Sequence, residues 1–389
     1  MAEGQRPLPL IVLTLLVAAQ FAGTCPWFAG NAVLPELERD LEIVGSVAFT
    51  TSAVQFGFIC GTLLLAISGL TDRWSASHVF AGSALGAAAT NLGLLWAYDG
   101  TSLALWRFGT GLFLAGVYPV GMKLAASHAD PEKGGLGAAL GFLVGALVLG
   151  TAFPHGLRAL GEVLPWRVTI LVTSGLAAVA GIGLYLTVSD GPYLSSGQPR
   201  ALKPGAVFTA FRDPPFRAAA LGYFGHMWEL YTVWALVPAI LLAHDPELNP
   251  SPGAFAMIAA GAVGCAVGGL VASRLGSRRV AWLNLVSSAA LCATAPLWWQ
   301  LPTPIVFVLL LTWGFVVVGD SPQLSALTAQ TAPRELVGSA LTMVTCIGFA
   351  LTIVSLAVTS LLPFEWAFPV LALGPLLGAW VLRGEAQPA

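Results

Sequence analysis

The sequence predicts an all-α membrane protein with twelve transmembrane helices, arranged as two six-helix bundles related by pseudo-two-fold symmetry. Three observations predict this fold class. Hydrophobic residues make up 57% of the chain and charged residues 9%, against about 25% charged in a soluble domain. A globule of 389 residues cannot be coated with so few polar groups, and a disordered chain would be far less apolar. Apolar stretches of about twenty residues, the length that crosses a bilayer, recur along the whole chain. Short segments of the first half also return in the second at an offset of roughly 200 residues, as a duplicated unit would.

The first stretch, 8–33, follows a single positive residue, Arg6. It outruns the apolar core of a secretory signal and other spans follow, so it reads as a retained helix. Spans two to six are 45–70, 78–97, 101–127, 136–160 and 166–188. Their connections carry turn chemistry, such as Asp99-Gly100 and Pro131 with Gly134-Gly135. Residues 189–215 are rich in Gly, Pro and Ser and carry Arg200, Lys203 and Arg212. They read as a cytoplasmic linker between an N-terminal bundle, 1–188, and a C-terminal bundle, 216–389. Spans seven to twelve are 216–243, 252–273, 280–299, 304–330, 337–361 and 366–382. Strand-like alternation is absent, which removes a barrel.

With the N-terminus placed inside, twelve lysines and arginines fall on the inner side, among them Arg6, Arg73, Lys133, Arg200, Lys203, Arg274 and Arg383. Three fall outside: Arg39, Arg158 and Arg167. The positive-inside rule then gives a multi-pass protein of the cell inner membrane with both termini cytoplasmic. All five cysteines sit inside apolar runs and none forms a CxxC pair, so they read as buried thiols rather than disulfides or metal ligands.

The repeat is visible in particular residues. Gly116-Val117-Tyr118-Pro119 in span four matches Gly319-Asp320-Ser321-Pro322 in span ten. Asp72-Arg73 follows span two, and Arg274-Leu275-Gly276-Ser277-Arg278-Arg279 follows span eight. These loops resemble the G-x-L-x-D-R-x-G-R-R signature of the major facilitator superfamily, with serine at both glycine positions of the first copy and Ser273 for aspartate in the second. Arg107-Phe108-Gly109-Thr110-Gly111 looks like that family's R-x-x-x-G signature. The resemblance implies two bundles rocking about a central site, a monomer, and a gating network that includes Asp72, Arg73 and Arg274. The fifth-span signature of drug–proton antiporters is missing. The span offers Gly137, Gly141, Gly145 and Gly150 instead, and the four-residue spacing of the first three makes a close-packing stripe.

Ionisable groups inside spans are costly and face a cavity or a partner. Arg107 shares a helix face with Thr110, Gly111 and Tyr118, and its planar fork suits a carboxylate or similar oxyanion; an interhelical ion pair or a backbone clamp is the alternative. Lys123 points about 160° away, so its stem reaches for headgroups unless Pro119 turns it inward. In span seven, Glu229 lies near the midplane and His226 one turn below it, within about 60° around the helix, where the two can exchange a proton. Asp320 precedes Pro322 and could relay a proton, bind a cation or cap the broken turn. Tyr118, Tyr223 and Trp234 are candidate cavity aromatics, beside Trp27 and Gln55.

Two functions follow as expectations. In the first, Arg107, with Lys123, Tyr118, Tyr223 and Trp234, binds a small anionic solute, and His226, Glu229 and Asp320 carry protons. In the second, the acidic groups and aromatics serve efflux of hydrophobic or cationic compounds. No nucleotide loop, zinc-type HExxH or nucleophile elbow is present, so neither an enzyme nor a cofactor or metal is expected. Solute, protons and lipid are the expected partners, with no nucleic acid.

Overall fold

The computed structural model describes residues 9–45, 47–129, 136–161, 164–193, 204–298 and 300–383. Arg6, Lys133, Arg200, Lys203 and the turn at Pro131 to Gly135 lie outside the described residues. Among those described there is no strand. Among the described residues eleven helices are long and apolar enough to cross a membrane, and the shorter apolar α1 (Leu10–Thr24) precedes them: α2 (Val47–Ser68), α3 (Ala76–Trp96), α4 (Gly100–His128), α5 (Leu136–Arg158) and α6 (Trp166–Thr187), then α7 (Pro214–His244), α8 (Pro250–Leu275), α9 (Ser277–Leu297), α10 (Thr303–Thr331), α11 (Val337–Ser360) and α12 (Phe364–Arg383). The predicted linker contains a short helix, Pro204–Ala210.

Lipid offers no hydrogen bonds, so every spanning backbone group is satisfied internally and breaks occur only where protein covers them. Three breaks shape the centre. Helix α1 stops at Thr24, and the chain continues beyond Phe28 as two short helices, Ala29–Ala32 and Leu34–Asp40. Pro26 lacks a backbone donor and cannot continue the ladder. Helix α4 is interrupted between Leu114 and Tyr118, and α10 at Asp320, each just ahead of a proline at the second helical position. In α10, Pro322 leaves the Val318 carbonyl without its ladder partner, and the Cys265 thiol donates to that oxygen at 3.2 Å.

Glycines let pairs of helices approach within each bundle. A Cβ on Gly111 would sit 1.9 Å from the Val54 carbonyl oxygen, and one on Gly61 2.1 Å from that of Leu112, so α2 and α4 touch backbone to backbone. The second bundle repeats this contact: Gly314 faces the Met257 oxygen at 1.9 Å and Gly264 the Phe315 oxygen at 2.0 Å, between α8 and α10. Across the bundles, α5 packs on α8, where a Cβ on Gly145 would meet the Ala262 oxygen at 2.9 Å and one on Gly141 the Cys265 oxygen at 3.0 Å. Two glycines of the stripe expected in α5, Gly141 and Gly145, therefore seal the two halves together, whereas a Cβ on Gly137 would meet nothing within 4 Å and Gly150 packs on Phe21 in α1.

Candidate functional site

The two bundles meet at their centre in a cluster of rings. Trp27, at the α1 break, stacks on Tyr231 of α7 with centroids 5.7 Å apart and on Phe349 of α11 at 5.9 Å. Phe58 of α2 lies 4.5 Å from Phe349, and Phe28 meets Trp234 edge to face at 6.1 Å. Each of these contacts joins one bundle to the other. Beside them lies a cavity of about 20 Å³, room for about one water, lined among others by Tyr118, Tyr223, Trp234, Tyr231 and Ser321. The centre is thus occluded.

Three of the predicted binding residues, Tyr118, Tyr223 and Trp234, line this cavity. Arg107 is fully buried outside its lining. Its guanidinium donates to the carbonyls of Pro26 at 3.3 Å and Trp27 at 2.8 Å, and to Asn31 Oδ1 at 2.8 Å. It holds the carbonyls exposed by the α1 break, as the backbone-clamp alternative has it. No carboxylate among the described residues pairs with it, and its Nε has no protein partner.

Lys123 is not brought to this cluster. Its ammonium donates to Thr71 O at 2.5 Å and Asp72 Oδ1 at 2.7 Å. Its long stem carries the charge to the bundle end, as the opposite-face reading expects, and Pro119 does not turn it inward. Asp72 therefore has Lys123 of its own bundle as ion-pair partner, while Arg73 and Arg274 are exposed without a carboxylate among the described residues.

The three proton candidates are all buried in the C-terminal bundle, with 1% relative exposure each. They are not arranged as the spacing along α7 suggests. His226 Nδ1 lies 2.8 Å from Asp320 Oδ1, a close contact whose angle does not make a hydrogen bond. Glu229 instead receives Trp313 Nε1 at 2.9 Å and the Ser288 hydroxyl at 2.8 Å. The pairing crosses from α7 to the α10 break, which sequence spacing along one helix could not reveal.

Residues missed in the sequence include Tyr231 and Phe349, which stack on Trp27 across the bundles, and His155, whose Nε2 is buried without a protein partner. The Nε1 atoms of Trp27 and Trp234 and both amide atoms of Gln55 are likewise unpartnered. Buried polar atoms are ordinarily paired, so their concentration at the centre is a signal of its own. No group of three or more potential metal ligands occurs among the described residues.

The sequence profile described as Major Facilitator Superfamily matches residues 16–356. Among solved structures, the fold is similar to the nucleoside transporter NupG, with TM-score 0.72 and 14% identity, covering 96% of this chain and 99% of that one. It is similar to the human organic anion transporter MFSD10, with TM-score 0.73 and 14% identity over 97% and 100% of the two chains. A bacterial homologue of the human lysosomal transporter Spinster, inward-facing and occupied, gives TM-score 0.67 at 13% identity over 98% and 97%. No curated protein sequence matches the chain.

Proposed function

The chain belongs to the Major Facilitator Superfamily, and from that premise we propose that it moves a small anionic solute across the cell inner membrane by alternating access, coupled to protons. Both termini face the cytoplasm in this reading, and the monomer is the working unit. The observation that carries it is Arg107: a fully buried guanidinium with three acceptors, an idle Nε and no carboxylate partner among the described residues. An uncompensated buried charge is costly, and a solute anion arriving beside the α1 break offsets that cost in the loaded state.

In the cycle, parting of the bundles separates Trp27 from Tyr231 and Phe349 and admits the solute between the rings. Trp27 Nε1, Trp234 Nε1 and Arg107 Nε supply the donors that an anion's oxygens need. The proton rides between His226 and Asp320, beside the break in α10. Glu229, held by Ser288 and Trp313, is a second acidic site on the same helix as His226. Lys123 and Asp72 steady the opposite bundle at its inner end.

A second reading, efflux of lipophilic cations, is favoured by one observation: the cavity is lined by the rings of Tyr118, Tyr223, Tyr231, Trp234 and Phe349 and by Ser321, the neighbour of Asp320, and by no arginine. A thermal-shift screen of purified protein against organic acids, inorganic anions and lipophilic cations separates the two. Stabilisation by one anion class, lost in Arg107→Gln but not in Glu229→Gln, is the expected result. Stabilisation by cations, lost in Glu229→Gln, reverses the assignment.

A further inference from the structure

The end of α8, the start of α9 and the end of α12 enclose a groove of about 790 Å³, at the face of the bundle where α1 starts and α12 ends. Four of its nine lining residues are Arg274, Arg278, Arg279 and Arg383. No carboxylate among the described residues pairs with any of them. Among the described residues Arg278 alone of the four has a hydrogen-bond partner, donating from Nε to the Leu382 carbonyl at 2.7 Å.

The repeat shows what this corner lacks. In the first bundle the corresponding corner, between the start of α3 and the segment after α6, holds Asp190. That carboxylate accepts from Ser75 Oγ at 2.9 Å and from the backbone nitrogens of Ala76 at 3.2 Å and Ser77 at 3.4 Å, capping α3. The neighbouring loop carries Asp72, neutralised by Lys123. In the second bundle, Ser273 stands at the Asp72 position and Ala326 at the Lys123 position. The α9 N-terminus has Gly276 before it and no side-chain cap. Among the described residues neither anion has a counterpart there, Glu385 lying outside them, and the arginines have multiplied. One or two arginines would satisfy the topology rule; four around an uncapped helix start form an anion site.

We propose that this groove binds the phosphate headgroup of an anionic phospholipid from the surrounding leaflet. The membrane supplies the occupant because the groove opens onto the lipid-facing side. Leu275 is 45% exposed and Leu283 49%, and Trp380, one turn from Arg383 on α12, is 74% exposed. Acyl chains lie along these apolar surfaces while the phosphate meets Arg274, Arg279 and the backbone donors of α9. The lipid thereby takes the place that Asp190 fills in the first bundle and ties α8, α9 and α12 together.

The test titrates phosphatidylglycerol and phosphatidylcholine of identical chains into detergent-purified protein and counts bound lipid by native mass spectrometry. Wild-type protein is expected to hold phosphatidylglycerol at least about tenfold more tightly. The double variant Arg274→Ser/Arg279→Gln removes two exposed arginines without hydrogen-bond partners, and should bind it on the order of thirtyfold more weakly, at about fivefold for each basic residue near a headgroup. Arg279→Gln alone should lose about fivefold, which keeps the reading testable if the double variant is poorly folded. Arg212→Gln/Arg334→Gln removes the same charge from the same face elsewhere and should leave the affinity unchanged. Equal retention of the two lipids, equal loss in the control pair, or displacement of phosphatidylglycerol by millimolar inorganic phosphate would overturn the proposal, the last by making the site one for a soluble anion.

Discussion

At the scale of single residues, Arg107 and Asp320 each resolve an ambiguity that composition leaves open. A buried arginine near a glycine predicts a ligand and a backbone clamp equally well; only the path of α1 past Pro26 shows that the fork is engaged by carbonyls. Asp320 stands at a break, and whether it caps that break or meets a partner depends on which side of α7 faces it. It meets His226 at 2.8 Å. Asp320→Asn keeps the shape and removes the exchangeable carboxyl proton. Proteoliposomes of this variant are expected to exchange labelled solute across the membrane but not to accumulate it in response to a pH gradient. Accumulation at wild-type level would remove Asp320 from the proton path. A second residue-scale prediction concerns Asp99, outside the spans, whose side chain receives the Ser102 backbone nitrogen at 2.7 Å in a capping box at the start of α4. The backbone hydrogen bond from Ser102, helped by that residue's hydroxyl, holds the carboxyl below the usual aspartate range. A depressed carboxylate stabilises the fold above its unfolded value of about 3.9, and that stability is lost as pH falls through the folded value. Asp99→Ala should therefore lower the thermal midpoint at neutral pH, with the gap to wild type closing at acid pH.

At the scale of elements, the spans were legible because lipid enforces long apolar helices, and the linker because it alone broke that pattern for more than twenty residues. The breaks were legible where a proline followed Gly116 or Gly319 in both repeats. The α1 break at Cys25 to Phe28 was not, because its carbonyls are satisfied by Arg107 from α4, far away in sequence. For Lys123 the helix arithmetic, which turns it away from Arg107 with its stem toward the inner end, agrees with its place beside Thr71 and Asp72, and the inward turn at Pro119 does not occur. Helix pairing was half visible. The stripe in α5 suggested close packing, but not that its partner is α8 of the other bundle. The repeat also aligns Gly61 with Gly264 and Gly111 with Gly314, each against a facing backbone. Gly111→Ala and Gly314→Ala both force a methyl onto a carbonyl oxygen 1.9 Å away, and each should cost about 1–3 kcal/mol by overpacking. Gly137→Ala, with nothing within 4 Å of the added carbon, should be neutral in the same melting experiment. Equal tolerance at all three positions would mean that these helix pairs lie farther apart than described.

At the scale of the whole molecule, a cavity of about 20 Å³ cannot hold an organic solute, so transport requires the bundles to part. The ring cluster closes the centre, and α5 against α8 closes the half nearer the termini, where a Cβ on Gly269 would lie 3.3 Å from both the Gly137 oxygen and the Gly141 Cα. Interfaces of this kind are bistable rather than compressible, so a wedge should favour the open arrangement instead of denting the closed one. Gly269→Leu supplies the wedge. Cys265, one turn away and fully buried with its thiol on the Val318 carbonyl, supplies the reporter. In protein whose other four cysteines are replaced by alanine, Cys265 should react slowly with N-ethylmaleimide. The Gly269→Leu change should speed that reaction severalfold while abolishing uphill transport, because a carrier held open on one side cannot complete its cycle. Solute bound to the protein without the wedge should change the rate as well, since it biases the same equilibrium. If the wedge left Cys265 protected in a protein that still melts cooperatively, the α5–α8 seam would be a fixed joint. The moving contact would then lie at the rings between α2 and α11.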